Sequence, residues 1–289
     1  MGGAPREGRY NGGGGFVRDL ARPLTPEEAA NLWNRPSAAG VYAALLGQDK
    51  DAMFKERELA ATLMAITPGI TNMVEQNRAF LRRAVIALAA EQGVRQFLDI
   101  GSGLPTGDNV HQVAQRVAPG STTVYVDNDR RVVAHGHAHL ATDDRTHFLC
   151  HDLRHPGELL HVLSTQRLLD FDRPVALFLV AVLHLIGDAD EPEVIVDTLM
   201  AALPSGSFLV LSHALDGPTL RRAAQAYREA GVAGTEAALR AEEQVARFFS
   251  GLEILEPGLV PVPAWRPEIE GMPQPLGRLP VLGGVGLKP

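Results

Sequence analysis

Apolar residues recur along this chain with two periods, and the change from one to the other falls near Val94. Upstream the spacing is helical. Thr25-Pro26-Glu27-Glu28 reads as a helix start, with Thr25 as cap, Pro26 in the first turn and Glu28 closing a capping box, and it predicts a helix over 25–34. Ser37 caps a second stretch, in which Val41, Tyr42, Leu45 and Leu46 share a face before Gly47 stops it. A third helix is predicted over 51–66, ending before Pro68-Gly69. A fourth is predicted over 71–92, with Phe80, Leu81, Ala84, Val85 and Leu88 on one face and Gly93 as its stop. Together they predict a helical cap over 23–93, preceded by a flexible Gly-rich arm over 1–22.

Downstream, short apolar runs alternate with helical patterns. Strands are predicted over 94–100, 122–126, 146–150, 174–181 and 207–212, with helices between them. The run at 174–181 is the most continuously apolar, as suits a central parallel strand. Helices near 219–230 and 241–249 follow, then weaker strand patterns at 252–255 and 281–287. Strands alternating with helices predict an α/β fold, a parallel sheet covered on both faces. The proline-rich stretch 257–280 is long for a loop and is therefore a candidate functional segment.

Phe97-Leu98-Asp99-Ile100-Gly101-Ser102-Gly103 ends the first strand in a glycine turn, and a helical pattern restarts at Val110. That is the opening of a βαβ unit, the place where such sheets bind ligands. Asp99 stands two residues before the first glycine, where a carboxylate suits a positively charged group better than a pyrophosphate. Two more acids end the next two strands, Asp127 and Asp152. Asp127 is placed to accept hydrogen bonds from ribose hydroxyls, and Asp152 from an adenine amino group.

Composition narrows the classes. The chain has 289 residues, 45% hydrophobic and 21% charged, enough for a substantial core. With 27 basic and 34 acidic residues its formal charge is −7, which does not favour a nucleic-acid partner. The single cysteine, Cys150, excludes an intrachain disulfide and reads as a buried strand residue. No signal-peptide core or membrane span is apparent in the sequence, so a cytoplasmic protein is expected. His135, His137 and His139 invite a metal reading, but on a helix only His135 and His139 share a face, and no metal is expected.

The glycine turn and the three strand-end acids resemble the class I S-adenosylmethionine-dependent methyltransferases. More narrowly, the chain resembles an actinobacterial methyltransferase family long carried as a domain of unknown function. The residues that carry this are Arg35-Pro36-Ser37, Asn77-Arg78-Ala79-Phe80-Leu81-Arg82-Arg83, Asp99-Ile100-Gly101, Gly103-Leu104-Pro105-Thr106, Asn109-Val110-His111, Val124-Tyr125-Val126-Asp127-Asn128-Asp129, Asp170-Phe171-Asp172-Arg173-Pro174-Val175, Val182-Leu183-His184 and Leu211-Ser212-His213. The resemblance implies a Rossmann-like sheet of seven strands, mostly parallel with the last antiparallel, and S-adenosyl-L-methionine as cofactor. It implies cofactor contacts from Asp99, Gly101, Ser102, Gly103, Asp127, Asn128, Asp152 and Leu153. The stretch from Tyr42 to Ala52 departs from the family pattern in its polar residues.

The leading expectation is methyl transfer to a small-molecule acceptor. The sulfonium already activates the methyl group, so the protein must align donor and acceptor and exclude water. His184, after the fourth strand, is the candidate base. Asn34, Arg35 and Tyr42 from the cap, His213 at the fifth strand and Trp265 in the proline-rich stretch are candidate acceptor contacts, and Asn109 and His111 are expected to fix the glycine loop. Two alternatives stand beside it: a nicotinamide-dependent oxidoreductase, which the missing third glycine disfavours, and a cofactor-binding protein without catalysis.

Overall fold

The computed structural model describes Thr25 and residues 34–141, 143–232, 235–267 and 279–289. The expected arm over 1–22 lies outside the described residues, as does the expected first helix apart from its ends, Thr25 and Asn34. Three further helices precede the sheet: α1 (Ala38–Leu45), α2 (Phe54–Ile66) and α3 (Ile70–Ala90). Ser37 caps α1 as its position foretells, its hydroxyl accepting the Gly40 N–H. Alternation then begins with β1 (Gln96–Ile100), α4 (Val110–Val117), β2 (Thr122–Asp127), α5 (Arg130–His139), β3 (Thr146–Cys150), α6 (Pro156–Thr165) and β4 (Ala176–Val180). It continues with α7 (Pro192–Ala202), β5 (Phe208–Ala214), α8 (Pro218–Glu229), α9 (Glu242–Arg247), β6 (Glu253–Ile254), β7 (Val260–Pro261) and β8 (Val281–Leu287).

Among the described residues one sheet of eight strands forms, ordered β3-β2-β1-β4-β5-β8-β6, with β7 pairing β8 off that path. Strands β1 to β5 are parallel, and β8 runs antiparallel to β5, β6 and β7. The count is eight rather than seven because Val260 and Pro261, from the proline-rich stretch, pair with Gly283 and Leu282. A proline is tolerated there because the pairing is short and at an edge. The strand order reverses between β1 and β4, so their carboxyl ends open the crevice in which such sheets bind ligands.

Each sheet face has its own core. On one, Phe80 and Leu88 of α3 pack with Phe97, Phe178 and Val210. On the other, Leu159, Leu163, Ile195 and Leu199 of α6 and α7 cover Leu98, Leu177 and Leu209. Helices α1 and α2 pack instead on α8, with Val41 and Leu63 among Leu220, Ala223 and Val232. Cys150 is buried in β3. Trp265, an expected acceptor contact, belongs to the α3 side of the core. It is fully buried, edge-on to Phe80 at 5.5 Å, and its carbonyl accepts the Arg83 Nε–H at 2.8 Å. The same guanidinium donates to the Val262 carbonyl, so Trp265 staples its segment to α3 and does not reach the crevice.

Candidate functional site

The glycine turn is held in one shape by its neighbours. Gly101 has φ +74°, and a Cβ there would meet Val182 Cγ2 at 2.5 Å, so both conformation and space require glycine. Gly103 also lies in the left-handed region, and its N–H donates to Asp127 Oδ2 at 2.9 Å. Asp127 Oδ1 accepts the Asp129 N–H, so this carboxylate ties the turn after β1 to the turn after β2. Asn109 clamps the rest of the loop from both sides of Thr106, accepting its N–H and donating to its carbonyl. His111 meets the Tyr125 hydroxyl at 2.8 Å through its backbone N–H and its Nδ1.

Around this turn lies a cleft of about 400 Å³. Asp99, Gly101, Ser102, Gly103, Asp127, Asn128, Asp152 and Leu153 all line it. Asp99 is 4% exposed and, among the described residues, receives no side-chain hydrogen bond. Burial raises its pKa to about 7, with Arg78 pulling it down and Asp127 pushing it up. Burial also raises Asp127 to about 6, against the N–H bonds that favour its ionised form. For Asp152 burial is outweighed: Arg154 grips both carboxylate oxygens, at 3.0 and 2.6 Å, and holds it below the ordinary range.

The far wall comes from the N-terminal helices and the loop after β4. Arg35, Tyr42 and His184 line it, joined by Arg78, Tyr227 and Thr235, which the sequence reading did not single out as site residues. Tyr42 is committed: its hydroxyl donates to the Val74 carbonyl and accepts from Asn77, which in turn accepts from Ser212 Oγ in β5. It therefore presents its ring to the cleft and its oxygen to the framework. Asn34 does not line the cleft; it is exposed, and its carbonyl accepts the Lys55 ammonium. His213 does not line it either, because β5 buries it completely behind His184.

A buried arginine organises that second layer. Arg240 donates to the carbonyls of Leu183 and Ile186, to Asp188 Oδ1 and to His213 Nε2. Since Arg240 can only donate, His213 Nε2 accepts and its Nδ1 carries the proton, donated to the Ala214 carbonyl at 2.7 Å. Burial and then the His184 ring hold His213 well below the usual imidazole range. His184 stands edge-on to it at 5.6 Å, with Nδ1 unpartnered. Burial, reinforced by Arg240, lowers His184 to about 4. A lone arginine in a loop gives no sequence signal for this; its partners are about 50 residues upstream and meet it only in the fold.

Residues 27–289 match the protein family described as S-adenosyl methyltransferase. The chain belongs to that family. This methyltransferase is 36% identical to a candidate methyltransferase from Thermobifida fusca YX, with a TM-score of 0.83, covering 92% of this chain and 99% of that one. It is 34% identical to a DUF574 family protein from Streptomyces avermitilis MA-4680, with a TM-score of 0.82, covering 89% and 99%. No curated protein matches it. Its cofactor is S-adenosylmethionine and its acceptor is not identified. The nicotinamide alternative falls with the family match, and the buried Asp99 carboxyl would in any case have faced a pyrophosphate. The cleft fits the methyl donor. A Cβ at Gly103 would meet nothing within 4 Å, so the backbone there faces open space, and Asp99 holds a buried carboxyl without a bonding partner beside it. Among the described residues no helix is long and apolar enough to cross a membrane.

Proposed function

We propose that this methyltransferase transfers a methyl group from S-adenosylmethionine to a small molecule held between the N-terminal helices and His184. The supporting observation is a single cleft, about 400 Å³, running from the glycine turn to Arg35, Tyr42 and His184. That volume is at the low end for small-molecule sites, and it must serve donor and acceptor together, which favours a small acceptor. In this reading Asp99 takes the ammonium of the donor, Asp127 the ribose hydroxyls, and Asp152 with Asn128 and Leu153 the adenine, while Gly101, Ser102 and Gly103 let the backbone approach. Bound there, S-adenosylmethionine supplies a methyl group already activated on a sulfonium.

The chain's own work is alignment and exclusion of water. Tyr42 and Tyr227 wall the acceptor side, and Arg35 sets its polarity. His184, with a pKa near 4, is neutral at physiological pH, so one of its ring nitrogens is free to accept. It takes the hydrogen bond of an acceptor hydroxyl or amine as the methyl bond forms. Residues 23–93 act as a cap and 94–289 as the cofactor domain. We read the enzyme as cytoplasmic; its −7 charge supports a substrate that is neither nucleic acid nor an anionic membrane surface, and the sources of the two relatives support an actinobacterial origin. Incubation with methyl-labelled S-adenosylmethionine and a fractionated metabolite extract tests the reading. Label is expected in the small-molecule fraction and lost with His184→Ala, whose affinity for S-adenosylhomocysteine stays unchanged. Label in protein or nucleic acid instead would contradict it.

A further inference from the structure

Arg78 lines the cleft from α3, and Asp99 lines it from the end of β1. Its charge acts on the Asp99 carboxyl, yet no ion pair joins the two. Among the described residues no carboxylate lies within ion-pair distance of Arg78, and its hydrogen bond, to the Asp108 carbonyl, is long at 3.4 Å. Of the other arginines that line the cleft, Arg130 opens α5 beyond the end of β2. Arg131 is gripped by Glu56 at 2.6 Å and Asp129 at 3.1 Å, and Arg154 by Asp152. Arg35 stands elsewhere, its guanidinium lying over Gly231 beyond the end of α8. Beside the glycine turn, Asp99 therefore brings a buried carboxyl without a hydrogen-bond partner near Arg78, a guanidinium without a carboxylate partner among the described residues. Their chemistry complements a zwitterion, an ammonium and a carboxylate on one carbon.

We propose that Arg78 binds the carboxylate of the donor's amino-acid tail, opposite its ammonium on Asp99, and so selects donors that carry that group intact. The assignment rests on the cofactor seating above and deepens it. It gives α3 a part in binding as well as in covering the sheet. A guanidinium suits the task because it holds a carboxylate with two parallel N–H bonds and keeps its charge at every relevant pH.

Calorimetry with three ligands separates this from a structural role. S-adenosylhomocysteine has the whole tail, its decarboxylated analogue keeps only the ammonium, and 5′-methylthioadenosine has neither. The wild-type protein is expected to prefer S-adenosylhomocysteine over the decarboxylated analogue by about 10- to 100-fold, the range of a charge-assisted hydrogen bond. Arg78→Gln is expected to erase that preference while leaving 5′-methylthioadenosine binding unchanged, which also reports an intact fold. Arg78→Lys is expected to restore part of it, and Arg35→Gln to keep it in full. Equal wild-type affinity for the first two ligands, a preference surviving in Arg78→Gln, or one lost in Arg35→Gln would overturn the assignment. If 5′-methylthioadenosine fails to bind the wild-type protein, the seating itself is wrong and the assignment falls with it.

Discussion

Asp99 is the residue at which environment and task pull in opposite directions. Burial protonates it near neutrality, with a pKa of about 7 against an ordinary 3.8, while an ammonium ligand requires it ionised. Asp127, at about 6, shares the conflict. Between about pH 4 and 7 the folded, ligand-free chain holds more protons on these carboxyls than the unfolded chain. Their contribution to stability therefore falls as pH rises through that window. Affinity for the donor runs the other way, because binding must release the Asp99 proton. The dissociation constant of S-adenosylhomocysteine is expected to weaken by up to about tenfold for each pH unit below 7. The ligand-induced rise in Tm should widen as pH increases through the same range. His184 and His213, both lowered by burial, stay neutral in the folded chain over most of that window, while in the unfolded chain they charge below about pH 6.5, so their contribution to stability rises with pH and opposes that of the carboxyls. A pH-independent affinity between about pH 5.5 and 8 would remove Asp99 from the ammonium site.

Between elements, the contact that decides how the N-terminal helices sit is polar. The fully buried Glu56 carboxylate accepts the Ser37 N–H and hydroxyl, the Met53 N–H and the Arg131 guanidinium of α5. The starts of α1, α2 and α5 thus converge on one side chain. Glu56→Gln keeps the shape but leaves the largely buried Arg131 guanidinium with Asp129 as its one remaining carboxylate among the described residues, and puts an amide N–H among the donors that Glu56 accepts. It is expected to cost about 3 kcal/mol, the scale of breaking a buried ion pair, and to lower Tm by several degrees. A change under about 1 °C in a thermal melt would show that the convergence is not what fixes the helices. Nothing in the sequence pointed to this contact, since its ends are 75 residues apart. The strands were legible for the opposite reason: β1, β4 and β5 are buried along their whole length and carry short apolar runs, unbroken in β4. Strand β7 was not, because two residues carry no periodicity and exist as a strand only through β8. Trp265 shows the limit from another side. An aromatic residue in a proline-rich segment reads equally as lid or staple, and only the edge-on contact with Phe80 decides for the staple.

At the scale of the whole molecule, the sheet supplies one wall of the cleft and the helices with the loop after β4 supply the other. The strand-end acids were readable because their chemistry is local to the strand ends. The acceptor wall was readable only in part. Arg35, Tyr42 and His184 reach the cleft, while Asn34 and His213 do not, since sequence places a residue near a site but not the direction in which it points. The claim on which the rest depends is that the methyl donor sits at the carboxyl ends of β1, β2 and β3. Calorimetric titration of the full chain and of Asp127→Asn with S-adenosylhomocysteine, and with NADPH as control, tests it most directly. The expected result is one site per wild-type chain, about tenfold to a hundredfold weaker in the folded variant, and no binding of NADPH. Equal affinity in the wild-type and variant proteins, or heat from NADPH and none from S-adenosylhomocysteine, would contradict it.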